Sequence, residues 1–178
     1  MQRFAIALTL WIAAWTVAVA QSNTRWTDPG GHFSLDYAPL GWTPLTPPPD
    51  AAPDLLEIEH HQFQQGGLMR TCIVTQRSSA VPPQVDQRAL NAYAASRTPQ
   101  DLAQRGVVPS EVDHVSVDGI VVIDATFDQP MHEHMRVFYL RTDSAMLQFV
   151  INCGATNPVS SDVTSNIDAV LQTLHINH

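Results

Sequence analysis

The chain has 178 residues, 44% of them hydrophobic, and a formal net charge of −8 with histidines neutral. All nine basic residues are arginines and none of them cluster. Phosphate contact depends on Lys and Arg, so this acidic chain is not a nucleic-acid binder.

The first twenty residues read as an export signal. Arg3 supplies a positive start, Phe4 to Ala20 carries no charge, and Ala18-Val19-Ala20 forms a small-x-small cleavage site before Gln21. The apolar run sits at the lower end of the roughly 17–25 residues that span a bilayer. Cleavage after Ala20 is therefore expected, leaving no stable membrane span and a single domain over 21–178 with a net charge of about −9. No cysteine lies near Ala20, so a lipid anchor is not expected.

Ser22 to Gly31 reads as a polar arm ending in a turn at Pro29-Gly30-Gly31. His32 to Tyr37 alternates, with Phe33, Leu35 and Tyr37 on one face of a half-buried strand. A turn over Pro39–Trp42 delivers Trp42 to the core. The prolines of Thr43–Pro53 predict an extended loop and not a sheet centre. Leu55 to Phe63 and Leu68 to Thr75 read as strands around a hairpin turn at Gln64–Gly67. Val85 to Arg97 has helical spacing. A short second helix is expected from Thr98, with Pro99 in the first position, Asp101 near the positive end and Gly106 as the stop.

An antiparallel meander follows. Asp118-Gly119 predicts a tight hairpin between Val112–Val117 and Ile120–Phe127. Val121, Ile123, Ala125 and Phe127 share one face, while Asp124, Thr126 and Asp128 mark the wet side. Glu133–Arg141 and Ala145–Cys153 are the next strands, and the apolar face of the meander is expected to seat the last helix. That helix carries Val163, Ile167, Val170, Leu171 and Leu174 as a stripe, with Ser160 or Ser161 as its cap. About eight strands and two or three helices, with the strands in runs, predict an α+β fold with a largely antiparallel sheet covered by helices.

In an exported chain Cys72 and Cys153, both in strand-like text, are expected to form a disulfide. Neither has a C-x-x-C partner or a helix start beside it, so a catalytic thiol is not expected.

Gly31-His32-Phe33-Ser34-Leu35-Asp36-Tyr37 followed by Gly41-Trp42 resembles the opening hairpin of PsbP-like proteins. Asp118-Gly119 before an apolar strand fits them as well. Ile167–Ile176 resembles their closing helix, which packs across the sheet. The resemblance implies an α-β-α sandwich, shared with photosystem II extrinsic subunits, secreted or lipid-anchored bacterial proteins and a Ran-binding nuclear import factor. It implies a mostly non-catalytic role. The chain carries no basic photosystem-docking segment.

His132-Glu133-His134 is the most suggestive cluster. On a strand the two imidazoles share a face and can meet one metal, with His60 or His61 as a third ligand. Zinc or copper is the metal such a set would take, although no H-E-x-x-H pattern accompanies it. No G-x-S-x-G elbow, P-loop or G-x-G-x-x-G occurs. Asp124 and Asp128 read as a solvated sheet edge that can flank a pocket. Trp26, Trp42, Phe63 and Tyr93 read as core packing, with a ligand cleft as the alternative. These readings lead to a periplasmic or secreted domain, not an enzyme, that binds an envelope protein or a small ligand. A His-based metal-binding protein and a hydrolase with an unrecognised site are the alternatives.

Overall fold

The structure is a computed structural model that describes residues 25–45, 54–60, 70–104, 106–156 and 159–177. The expected signal segment, residues 46–53 of the Pro-rich stretch, and 61–69 with the expected turn at Gln64–Gly67, His61 and Phe63 lie outside the described residues.

Seven strands form the main sheet: β3 (Trp42–Pro44), β4 (Asp54–His60), β5 (Arg70–Ala80), β6 (Glu111–Val117), β7 (Ile120–Phe127), β8 (Met131–Arg141) and β9 (Ala145–Thr156). Their order is β3-β4-β5-β9-β8-β7-β6 and every pairing is antiparallel. The meander β6 to β9 arises locally. Asp118 and Gly119 both adopt positive φ, at 49° and 81°, the backbone of a two-residue hairpin turn whose twist suits the flanking strands. The last meander strand then pairs along its length with β5. Cys72 and Cys153 face each other in that pairing and are joined by a disulfide, with Cα atoms 3.9 Å apart. Pro44 lies in edge strand β3, where its missing N–H disturbs no ladder.

A second sheet of β1 (Arg25–Thr27), β2 (Phe33–Asp36) and β10 (His175–Ile176) lies against one face of the first. β1 replaces the expected polar arm, because Trp26 pairs with Leu35 and packs edge-on against Phe33 at 5.4 Å. β10 corrects the expected end of the chain. The last helix, α2 (Ser161–Gln172), stops before His175, and the final residues pair with β2 instead.

The two faces of the main sheet follow the strand period of two. One face carries Val74, Val122, Phe138, Phe149, Ile151 and the disulfide. α2 covers it with Val163, Ile167, Val170 and Leu171, and β2 adds Phe33 against Phe138 and Phe149. The other face carries Ile123, Ala125, Phe127, Val137 and Tyr139 beneath α1 (Gln87–Ala95), through Leu90 and Ala94. The molecule is thus the α-β-α sandwich that the resemblance implies. It differs from the sequence reading at β7. The apolar face predicted there to seat the last helix seats α1, and α2 rests on its opposite face, through Ile120 and Val122.

α1 begins at Asp86, whose carboxylate accepts from the Ala89 N–H at 2.8 Å. The expected second helix is one 3₁₀ turn, Pro99–Leu102, and it ends well before Gly106. The Asp101 carboxylate reaches back to accept from the Thr98 N–H and hydroxyl, both at 2.8 Å, and these bonds hold its pKa below the usual carboxylate range. Asp101→Ala is expected to lower the urea midpoint at unchanged slope, because it removes the acceptor that caps the turn.

Candidate functional site

His132 and His134 both lie on β8, on the face that α2 covers, but their partners separate them. His132 Nδ1 lies 3.3 Å from Asp128 Oδ1 near the solvent. His134 is 15% exposed, and its two ring nitrogens face two carboxylates. Nδ1 donates to Asp168 Oδ1 of α2 at 2.7 Å, and Nε2 is hydrogen-bonded to Asp124 Oδ1 of β7. His60 lies three strands away on β4, about 14 Å by strand spacing. It is buried against Trp42 and donates from Nε2 to the Leu40 carbonyl at 3.1 Å. Among the described residues no group of three or more His, Cys, Asp or Glu is arranged around a metal position. Geometry explains this at His134, because carboxylates that flank an imidazole on opposite sides do not converge on one point.

Asp124 corrects a second reading. It is no solvated edge: its side chain is 14% exposed and accepts from Arg136 Nε and Nη2 at 2.9 and 2.8 Å as well as from His134. Arg136 in turn donates from Nη1 to the Leu171 carbonyl in the last turn of α2, at 2.5 Å. Cations at that end satisfy free carbonyls and oppose the helix dipole. The four side chains strap α2 to β7 and β8. Burial disfavours both charges of the His134–Asp124 pair, yet the mutual hydrogen bonds and charges outweigh it. Asp124 is held below its ordinary pKa and His134 is raised above its own. A Ser-His-Asp triad orients one imidazole nitrogen with an acid and leaves the other for the nucleophile. His134 has an acid on each, so the strap is fastening and not a triad. Its signal in the sequence was the Asp124 carboxylate inside an otherwise apolar strand.

The more open feature lies on the other face. α1 covers β7 and β8 there, and among the described residues no helix covers β5 and β9. The 3₁₀ turn and the residues after it form one wall of a groove of about 640 Å³ over that uncovered sheet. Ile73, Val137 and Val150 are part of its floor, and Arg77 and Arg97 line it. The volume falls within the range of small-molecule sites. A smaller hollow of about 260 Å³ continues it past Gln104 and Asn152, which line both. The aromatic residues singled out from the sequence divide. Trp42 is core. Tyr93 is 44% exposed, stacks edge-on against Tyr139 in the groove wall at 5.3 Å, and has the Arg97 guanidinium over its ring at 5.2 Å. The groove was hidden from sequence reasoning, since it exists only where a helix stops short of a sheet edge.

No family model and no curated protein sequence matches the chain. Solved structures do. LpqN, involved in cell envelope biogenesis of Mycobacterium tuberculosis, is 10% identical, with 78% of this chain and 79% of that chain covered at a TM-score of 0.51. Cyanobacterial PsbP (CyanoP) from Synechocystis sp. PCC 6803 is 14% identical, with 86% and 91% covered at a TM-score of 0.49. At these identities the likeness is one of fold.

Proposed function

We propose that the chain is an exported, non-enzymatic domain of the cell envelope that holds its ligand or partner in the groove beside α1. The observation that carries this reading is the half-covered sheet face, an open groove of small-molecule size with a mixed polar and apolar lining. The Cys72–Cys153 bridge supports export, because disulfides persist in oxidising compartments. The fold shared with an envelope-biogenesis protein supports the setting.

Site-specific photocrosslinking tests the groove. A crosslinker at Gln148, which lines it, is expected to capture an envelope component in cells. One at Glu111, on the far edge strand β6, is expected to capture none. Capture from Glu111 alone would overturn the reading, as would recovery of the chain in the cytosol with both thiols reduced.

A further inference from the structure

Strand register sorts the groove into three rows. Tyr139, Gln148 and Arg77 lie opposite one another on β8, β9 and β5, and Arg97 joins that end through the edge-packed Tyr93 and Tyr139 rings. Val137, Val150 and Thr75 form the middle row. Met135, Asn152 and Ile73 form the far row, where Gln104 Nε2 lies 2.9 Å from Met135 Sδ. The groove therefore has a cationic end, an apolar waist and an amide end. Four residues along a strand place the ends about 13 Å apart.

Two further observations point to an occupant. Arg97 Nε and Asn152 Oδ1, at opposite ends, are buried and have no hydrogen-bond partner. Buried polar atoms are nearly always satisfied, so a ligand atom or an ordered water completes each. In addition, Arg77 makes no ion pair among the described residues, although the chain carries a net charge of −8. Of the acids beside the groove, Asp101 is engaged by Thr98 and lies 3.6 Å from Arg97, and Glu133 accepts from Asn152 Nδ2 at the far end, so the surplus positive charge is confined to the Arg77 and Arg97 end.

Resting on the groove reading above, we infer that the ligand is a linear small anion about 13 Å long. Its carboxylate or phosphate meets Arg77 and Arg97, a short apolar spacer crosses Val150 and the methyl of Thr75, and a hydroxyl or amide N–H donates to Asn152. Guanidinium suits the first contact because its fork of donors matches such anions.

The test is calorimetric titration of the oxidised protein with 10-hydroxydecanoate, its methyl ester and decanoate. The hydroxy acid is expected to bind, and the ester about tenfold more weakly, as befits loss of one charge-assisted contact. Decanoate is expected to lose several-fold. Arg77→Gln should erase the preference for acid over ester, and Asn152→Leu the preference for hydroxy acid over decanoate. Arg88→Gln, the same charge change on α1 outside the groove, should alter neither preference. Equal binding of acid and ester, or an unchanged preference in Arg77→Gln, would overturn the ligand class. So would an absence of binding by all three probes while Gln148 still crosslinks, and that result leaves the groove reading standing. Loss of the Gln148 crosslink as well would end both.

Discussion

His134→Ala is expected to lower the stability by about 2–3 kcal/mol near pH 6, since it removes one partner of a largely buried charge pair. For a chain of this size that is a fall in thermal midpoint of about 5–10 °C. The reason lies in the imidazole's two neighbours. Asp124 Oδ1 and Asp168 Oδ1 are both acceptors, and only an imidazolium has an N–H for each. Asp124 keeps Arg136, so its charge stays compensated. Asp168 is 43% exposed and loses a partner that water can replace. Both facts hold the loss below that of a fully buried pair.

The pH dependence has a definite sign. The folded protein raises the His134 pKa above the ordinary 6.5, so its contribution is complete below that value and fades as pH rises through the raised pKa. Asp124 is depressed below 3.8, so its contribution is present above that value and fades as pH falls through the depressed pKa. The strap is tightest between those limits. Comparing wild type and His134→Ala from pH 6 upward isolates the imidazole: the gap in urea midpoint should narrow with rising pH. His134→Gln, whose single donor nitrogen is the same at any pH, should lose the pH dependence while keeping part of the stability. A gap that stays constant across the titration would show that His134 packs but does not fasten.

The strap also shows where reading from sequence stops. Strand and helix periodicity is local, so the meander, the Asp118-Gly119 turn and the stripe on α2 follow from neighbouring residues, whereas the pairing of Cys72 with Cys153, 81 residues apart, follows from there being two cysteines in a chain expected to be exported. Asp124 reads as wet because it alternates with apolar residues. Its compensating charges, His134 and Arg136, come from the next strand, ten and twelve residues on, and nothing near Asp124 announces them. β1 and β10 are three and two residues long, too short for a period, and each exists only because β2 lies beside it. The groove has a similar origin. α1 is nine residues long and packs on β7 and β8, and the seven-stranded sheet extends beyond them.

Removing the disulfide is expected to have the largest effect of any change considered. The Cys72→Ala/Cys153→Ala variant should lose about 3–5 kcal/mol, since the bridge closes a loop of 81 residues and so restricts the unfolded chain. The loss should leave the native fold in place. β5 and β9 pair from Arg70–Ala155 to Ala80–Ala145, and Val74, Phe149 and Ile151 pack around the bridge in the core. Those backbone and apolar interactions hold the register without it. Urea unfolding distinguishes the two sources. If the bridge acts on the unfolded state, the double variant unfolds at lower urea with a steeper slope, because its unfolded chain exposes more surface. Wild-type protein unfolded in reductant should coincide with it. If oxidised and reduced wild type share one midpoint, the bridge contributes nothing and the pairing of β5 with β9 suffices. The same pair of curves bears on where the chain works. A protein that depends on this bridge for several kcal/mol is at full stability only where thiols oxidise.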